Sequence, residues 1–379
     1  MPQHGDEKNV EQETVAERTD QPDIRINHSA LRDFVQAIFE SLGTETDTAT
    51  TVAQHLVEAN LKGHDSHGVG MIPAYVKNLQ TGLLKPNAGM NVLRDNGAVV
   101  MLDGQHGFGQ RVGKEATQFA IERAQEIGLA CIGLRNAHHL GRIGTYGEQC
   151  AEAGMVSMHY VNVVGHPPAV SPFGSREARM TTNPFCAVVP RDNAEPVILD
   201  MATSQIALGK VRVAYHKGLP VTDGALLDHE GLPTNDPKVM YEKPLGTLGP
   251  FGHHKGYGLA VMCELLGGAL AGEWTMQPAN PRSHNIVNNM LMFVLNPAAT
   301  GNAEGFQNEV SAMVDYLHSA QPAAGTDRVR VPGEPERESR KQRLEEGIPL
   351  DASSWDSITT AATAAGLPVG QINATPLMS

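Results

Sequence analysis

Between residues 111 and 161 the chain passes twice from a helix, through one glycine, into a buried strand. Residues 111–127 have helical spacing, stop at Gly128 and give way to the apolar run 129–134; residues 144–153 stop at Gly154 and give way to 155–161. Helices that turn straight into strands must bury a face against them, which excludes an all-helical bundle and an all-β sandwich. Further strands are expected at 90–93, 98–102, 187–189, 196–199 and 289–295. Asn27-His28-Ser29 reads as the cap of a first helix ending at Gly43, and a second helix starts near Thr46. An apolar, Gly-rich helix buried on most sides is expected at 256–271, and others at 301–319 and 351–367. The Pro-, Glu- and Arg-rich stretch 323–347 reads as irregular surface.

Composition narrows the class. Hydrophobic residues make up 41% and charged residues 19% of 379, an ordinary globular balance. The formal charge of −13 argues against a nucleic-acid surface, which needs a basic patch. No run approaches the length of a membrane helix. Residues 1–25, with seven acidic and three basic residues, read as a disordered tail without signal-peptide character. Cys131, Cys150, Cys186 and Cys263 form no C-x-x-C pair. The expected setting is a reducing cytoplasm.

The usual nucleotide fingerprints are missing. G-x-G-x-x-G is approached by 107–113, where the last interval is one residue too long, and by 141–147, where the glycines fall every third residue. No Walker A sequence, G-x-S-x-G elbow or H-E-x-x-H is present. Three glycine-flanked histidine clusters stand out instead: His64 and His67 after the second helix, His138 and His139 after strand 129–134, and His253 and His254 before helix 256–271. Polar side chains at such junctions are where catalytic groups collect, and histidine can act there as general acid or base. Asp200, after an apolar run, could orient one of them. Lys255 lies among glycines where backbone can approach a phosphate or carboxylate. Any single histidine is more often a cap, a core hydrogen-bonder or a surface residue. His64, His67 and Asp200 could alternatively hold a metal, though hydride chemistry is the better reading and no metal is expected. A non-catalytic nucleotide-binding protein is the third alternative.

Taken together, the stretches 63–84 (GHDSHGVGMIPAYVKNLQTGLL), 138–154 (HHLGRIGTYGEQCAEAG), 182–190 (TNPFCAVVP), 199–210 (LDMATSQIALGK), 254–272 (HKGYGLAVMCELLGGALAG) and 332–340 (PGEPERESR) resemble the malate/L-lactate dehydrogenase type 2 family. These are NAD(P)-dependent oxidoreductases, and within them the chain is similar to the bacterial hydroxycarboxylate dehydrogenase subgroup, which includes hydroxyphenylpyruvate reductases. The resemblance implies a non-Rossmann α/β fold with a mixed sheet, of the L-sulfolactate dehydrogenase type. It implies a cofactor domain at 106–269 inserted into a helical, substrate and dimerisation domain at 26–105 plus 270–379, and a homodimer. It implies hydride exchange between NAD or NADP and a 2-oxo or 2-hydroxy acid, or in some relatives reduction of a C=N bond next to a carboxylate.

Carried over by position, His67 is the histidine of the S-H-G motif, with Ser66 and Asp200 as its relay. His139 is a histidine that some members use as proton acceptor. Cofactor contacts fall on His139, Leu140, Gly141, Arg142 and Ile143, on Asn183, on Pro196, Val197, Ile198, Leu199, Asp200, Met201 and Ala202, on His254 and Lys255, and on Gly333 and Glu334. Tyr75 falls among the substrate contacts. One departure matters: many relatives place an arginine four residues after the S-H-G histidine, and here that residue is Met71. A desolvated carboxylate needs a cationic partner. Arg142 is expected to supply it, with Met71 lining a pocket for a bulkier side chain.

Overall fold

A computed structural model describes residues 24–280 and 285–367. Most of the expected tail lies outside them, but Arg25 belongs to strand β1 (Ile24–Ile26), which pairs antiparallel with β12 (Ile348–Leu350). Helices α1 (His28–Ser41), α2 (Thr46–Leu61) and α3 (Ile72–Gln80) follow. The Asn27 side chain caps α1 by accepting from Ser29 N and Ala30 N. The apolar faces of these helices, with α10 (Ala352–Ala364), bury one core around Leu31, Ile38, Leu56, Ile72 and Ile358.

A second core belongs to a seven-stranded sheet. Its strands are β2 (Asn91–Asn96), β3 (Val99–Asp103), β4 (Leu129–His138), β5 (Val156–Val164), β6 (Phe185–Arg191), β7 (Ala194–Met201) and β11 (Val287–Leu295). Their spatial order is β2-β3-β4-β11-β5-β6-β7. Only β3 and β4 run parallel; every other neighbouring pair is antiparallel. A doubly wound nucleotide fold is built on parallel strands, so its topology is absent. The expected division at 105 and 270 runs through this sheet, with β2, β3 and β11 on one side and β4–β7 on the other.

Helices α4 (Gly109–Ile127) and α5 (Gly144–Glu152) pack on the sheet, filling the core with Val112, Ala116, Ala120, Tyr146 and Cys150. Gly128, at φ 93°, turns the chain from α4 into β4 with a left-handed residue that a β-carbon would strain. Past β7 come α6 (Leu208–Lys217) and a small sheet of β8 (Leu226–Leu227), β9 (Pro233–Thr234) and β10 (Thr247–Leu248), none of which periodicity predicted.

Two expectations need correction. The helix expected at 256–271 starts as α7 (His254–Cys263) and continues as a π-helix over Glu264–Gly272. It is not buried on most sides: Met262, Leu265 and Leu270 are exposed. Small residues face the sheet instead, because a β-carbon on Gly267 would come within 2.7 Å of the Tyr160 carbonyl oxygen. The stretch 323–347 is not all irregular either. After α8 (Ala303–His318) it contains α9 (Glu334–Glu346), which has no buried residue and so no apolar stripe to read. Ion pairs seat it: Arg340 bridges to Glu58 at 2.9 Å and Arg343 to Asp65 at 2.6 Å. Among the described residues no helix is long and apolar enough to cross a membrane.

Candidate active site

Two of the three histidine clusters meet. His67 sits in a short 3₁₀ turn that leaves α2, and His139 follows the last residue of β4. Their rings stack with centroids 5.6 Å apart and planes 21° from parallel. The Ser66 hydroxyl lies 3.0 Å from His67 Nδ1, and the Tyr75 hydroxyl 2.7 Å from His139 Nδ1. The neighbouring His138 accepts from Asn78 Nδ2 through Nε2 at 2.8 Å, so α3 braces both histidines of that loop.

Burial holds these rings neutral. It lowers the pKa of His67 to about 4, aided by the charge of His64 and opposed by Asp200. It lowers His138 to about 3, and it holds His139 well below its ordinary value. Burial pushes the Tyr75 hydroxyl upward, so that it stays protonated.

Arg142 stands beside the pair on a fixed seat. Its side chain is 1% exposed, donates to Glu148 Oε1 at 2.9 Å, and has Nε 3.4 Å from Asp200 Oδ2. Asp200 also accepts the Gly144 backbone N–H at 2.9 Å. The Arg142 backbone N–H donates to His55 Nε2 at 3.0 Å, and burial lowers the pKa of that histidine to about 3. Arg142 Nε and Nη2 are both buried without a hydrogen-bond partner among the described residues. Such atoms call for an acceptor.

The remaining expected residues divide into several groups. Tyr75, expected to touch substrate, is fully buried, and its hydroxyl is engaged by His139 and by Gln110 Nε2 at 2.9 Å. Met71 packs partly buried against the first core. Leu140 and Ile143 are core residues of the sheet layer. Asn183 is buried and donates to Glu264 Oε2 at 2.7 Å. Gly333 and Glu334 come to β7, where Ile198 N donates to Pro332 O at 3.1 Å and Arg337 Nη1 to Pro196 O at 3.1 Å. The Glu334 carboxylate is held by His318 at 3.2 Å and by Val331 N at 3.0 Å. His254 and Lys255 are exposed at the start of α7. That start is anchored beyond β7 by Phe251 N donating to Thr203 O. His64 Nε2 lies 3.4 Å from Glu336 Oε1. Among the described residues no group of three or more His, Cys, Asp or Glu side chains is arranged to hold a metal ion.

A cleft of about 1030 Å³ is lined by Arg142, Pro196, Ile198, Gly333, Arg337 and Arg340. Its cations, Lys114, Arg337 and Lys341 among them, stand among the carboxylates of Glu58, Glu195 and Glu336 and could meet the phosphates of a dinucleotide. Sequence reasoning missed Gln110, His55, Glu148 and Glu264. Each lies on a helix, where a polar residue gives no local sign of a distant partner.

The family model for malate/L-lactate dehydrogenase matches residues 26–359. Hydroxycarboxylate dehydrogenase B of Escherichia coli O157:H7 is 46% identical over 346 residues, 91% of this chain and 95% of that protein. The solved sulfolactate dehydrogenase of Methanocaldococcus jannaschii superposes with a TM-score of 0.81 at 29% identity, covering 92% of this chain and 99% of that one. The delta1-piperideine-2-carboxylate reductase of Pseudomonas syringae pvar. tomato superposes with a TM-score of 0.75 at 29% identity, covering 89% and 99%.

Proposed function

The chain belongs to the malate/L-lactate dehydrogenase family and is a nicotinamide-dependent oxidoreductase, and from that premise we propose that it interconverts 2-oxo acids and 2-hydroxycarboxylic acids of lactate, malate or hydroxyphenylpyruvate type. The observation that supports this best is the stacked His67–His139 pair beside the buried Arg142.

The bound nicotinamide, NAD or NADP, supplies or takes up the hydride at C2. Residues 139–143 and 196–202, with Asn183, His254, Lys255, Gly333 and Glu334, would hold it. His67 is neutral at neutral pH, so it can accept the hydroxyl proton as a 2-hydroxy acid is oxidised, and it returns that proton to the carbonyl oxygen in reduction. Ser66 holds the His67 ring through Nδ1, and Asp200 steadies the charge that ring acquires. Arg142 Nη2 is the candidate clamp for the substrate carboxylate, with Met71 on the apolar side. The inserted cofactor domain, a homodimeric assembly and a cytoplasmic setting belong to the same proposal.

Absorbance of NADH and NADPH, followed separately against pyruvate, oxaloacetate, 2-oxoglutarate, hydroxypyruvate and 4-hydroxyphenylpyruvate, tests the reading. Turnover of at least one acid is expected, with His67→Asn lowering kcat by about 10²- to 10⁴-fold. No turnover of any acid would sink it. Likeness to the piperideine-carboxylate reductase favours one second reading, reduction of a C=N bond next to a carboxylate. Turnover of pyruvate only when methylamine is added would select that reading.

A further inference from the structure

Behind His139 lies a chain of polar groups sealed from solvent. Gln110 on α4 donates Nε2–H to the Tyr75 hydroxyl oxygen at 2.9 Å, and that hydroxyl meets His139 Nδ1 at 2.7 Å. Gln110 and Tyr75 are buried in full, and His139 nearly so. The phenol has one proton to place. Its oxygen already accepts from the amide, and a phenol O–H is a far stronger acid than a neutral imidazole N–H. An imidazole nitrogen is likewise a stronger base than a phenol oxygen. The proton therefore points from Tyr75 to Nδ1, and 2.7 Å is the usual length for an O–H donor. A neutral imidazole whose Nδ1 accepts must carry its own proton on Nε2.

We propose that Tyr75, backed by Gln110, is a positioning residue that fixes His139 as its Nε2–H tautomer, so that His139 meets the substrate's C2 oxygen as a hydrogen-bond donor and leaves proton transfer to His67. With Nδ1 engaged by Tyr75 and Nε2 protonated, His139 has no lone pair with which to take a proton from substrate. It acts as a fixed dipole aimed at the oxygen where charge develops. The substrate side of this division of labour rests on the function proposed above; the tautomer does not.

The test is ¹⁵N NMR of the histidine rings in the full-length, ligand-free protein at neutral pH, with the His139 signals assigned by their loss in His139→Gln. A bare Nδ1 and a protonated Nε2 are expected. A protonated Nδ1 with a bare Nε2, or an imidazolium, overturns the proposal without any further variant. Gln110→Glu should reverse the chain, because its carboxylate accepts a hydrogen bond from the Tyr75 O–H, which keeps its proton, and the phenol oxygen then accepts from His139 Nδ1–H. The tautomer signature should swap, and kcat should fall about 100-fold with substrate KM changed less than about threefold. Tyr75→Phe, which keeps the ring packed against Phe39 and Phe108, should lose the pure Nε2–H signature and lower kcat by at least about tenfold. Folded variants that keep both the wild-type signature and the wild-type kcat overturn it. Because the NMR needs no substrate, failure to turn over any 2-oxo acid would count against the proposed function and leave the tautomer result standing.

Discussion

Arg142 is held by more partners than any other residue proposed to touch substrate. Glu148 accepts from Nη1 and the Asp200 carboxylate lies 3.4 Å from Nε as an ion pair, while Nε and Nη2 have no hydrogen-bond partner among the described residues. A lysine there would keep the charge but could not satisfy two carboxylates and still present a donor in a fixed direction. Arg142→Lys should raise the KM for the acid substrate about tenfold or more while the enzyme stays folded; an unchanged KM assigns the carboxylate to another group. Gly144 tests the same seat from its backbone. A β-carbon there would come within 2.5 Å of Arg142 Nη2 and 2.7 Å of Asp200 Oδ2, so Gly144→Ala should lower activity by displacing both, read as a loss of kcat/KM in the folded enzyme. His67 and His139 were legible in the sequence because glycine-flanked histidines at the ends of helices and strands are conspicuous. Ser66 and Asp200 were expected beside His67, and Tyr75 was expected at substrate and not at His139; the more distant supports were not legible. Gln110 lies 35 residues from Tyr75 and His55 lies 87 from Arg142, and only the fold makes either pair neighbours.

Elements were legible where a stripe or an alternation marked them. Asn27 and Asp351 both cap helices as their residue types suggest. Helix α9 was hidden because charged pairs do most to seat it and a single apolar residue, Leu344, packs partly buried against the first core, which makes no stripe. The π-helix was visible as an apolar run, but its exposure was not, since its glycines and not its leucines approach the sheet. The turn from α4 to β4 can be tested directly. Gly128 has φ 93°, and a β-carbon on it would lie 2.8 Å from Ala299 Cβ. Gly128→Ala should therefore cost about 1–2 kcal/mol or more in urea unfolding; an unchanged midpoint would show that the turn relaxes.

The molecule as a whole carries several buried neutral histidines, and their sum should show in its response to acid. Burial holds His55 and His138 at about 3 and His67 and His159 at about 4. Unfolded, each returns to about 6.5. The unfolded chain thus binds more protons below that pH, so the contribution is complete above about pH 6.5 and is lost as pH falls toward 4 and 3. Urea unfolding should show stability falling steeply from pH 6.5 to 4.5. His159→Gln, within β5, should reduce that slope by up to about 1.4 kcal/mol per pH unit; a flat profile would mean the rings titrate normally.

Strand order sets a further condition at this scale. β11, residues 287–295, lies between β4 and β5, and β12 completes the pair begun by β1. A ribosome delivers β4 and β5 more than a hundred residues before the strand that joins them. Until it arrives, each presents an open hydrogen-bonding edge to other nascent chains. Fragments ending before residue 287 should aggregate where the full chain does not, and a chaperone that shields strand edges should raise the yield of the intact protein.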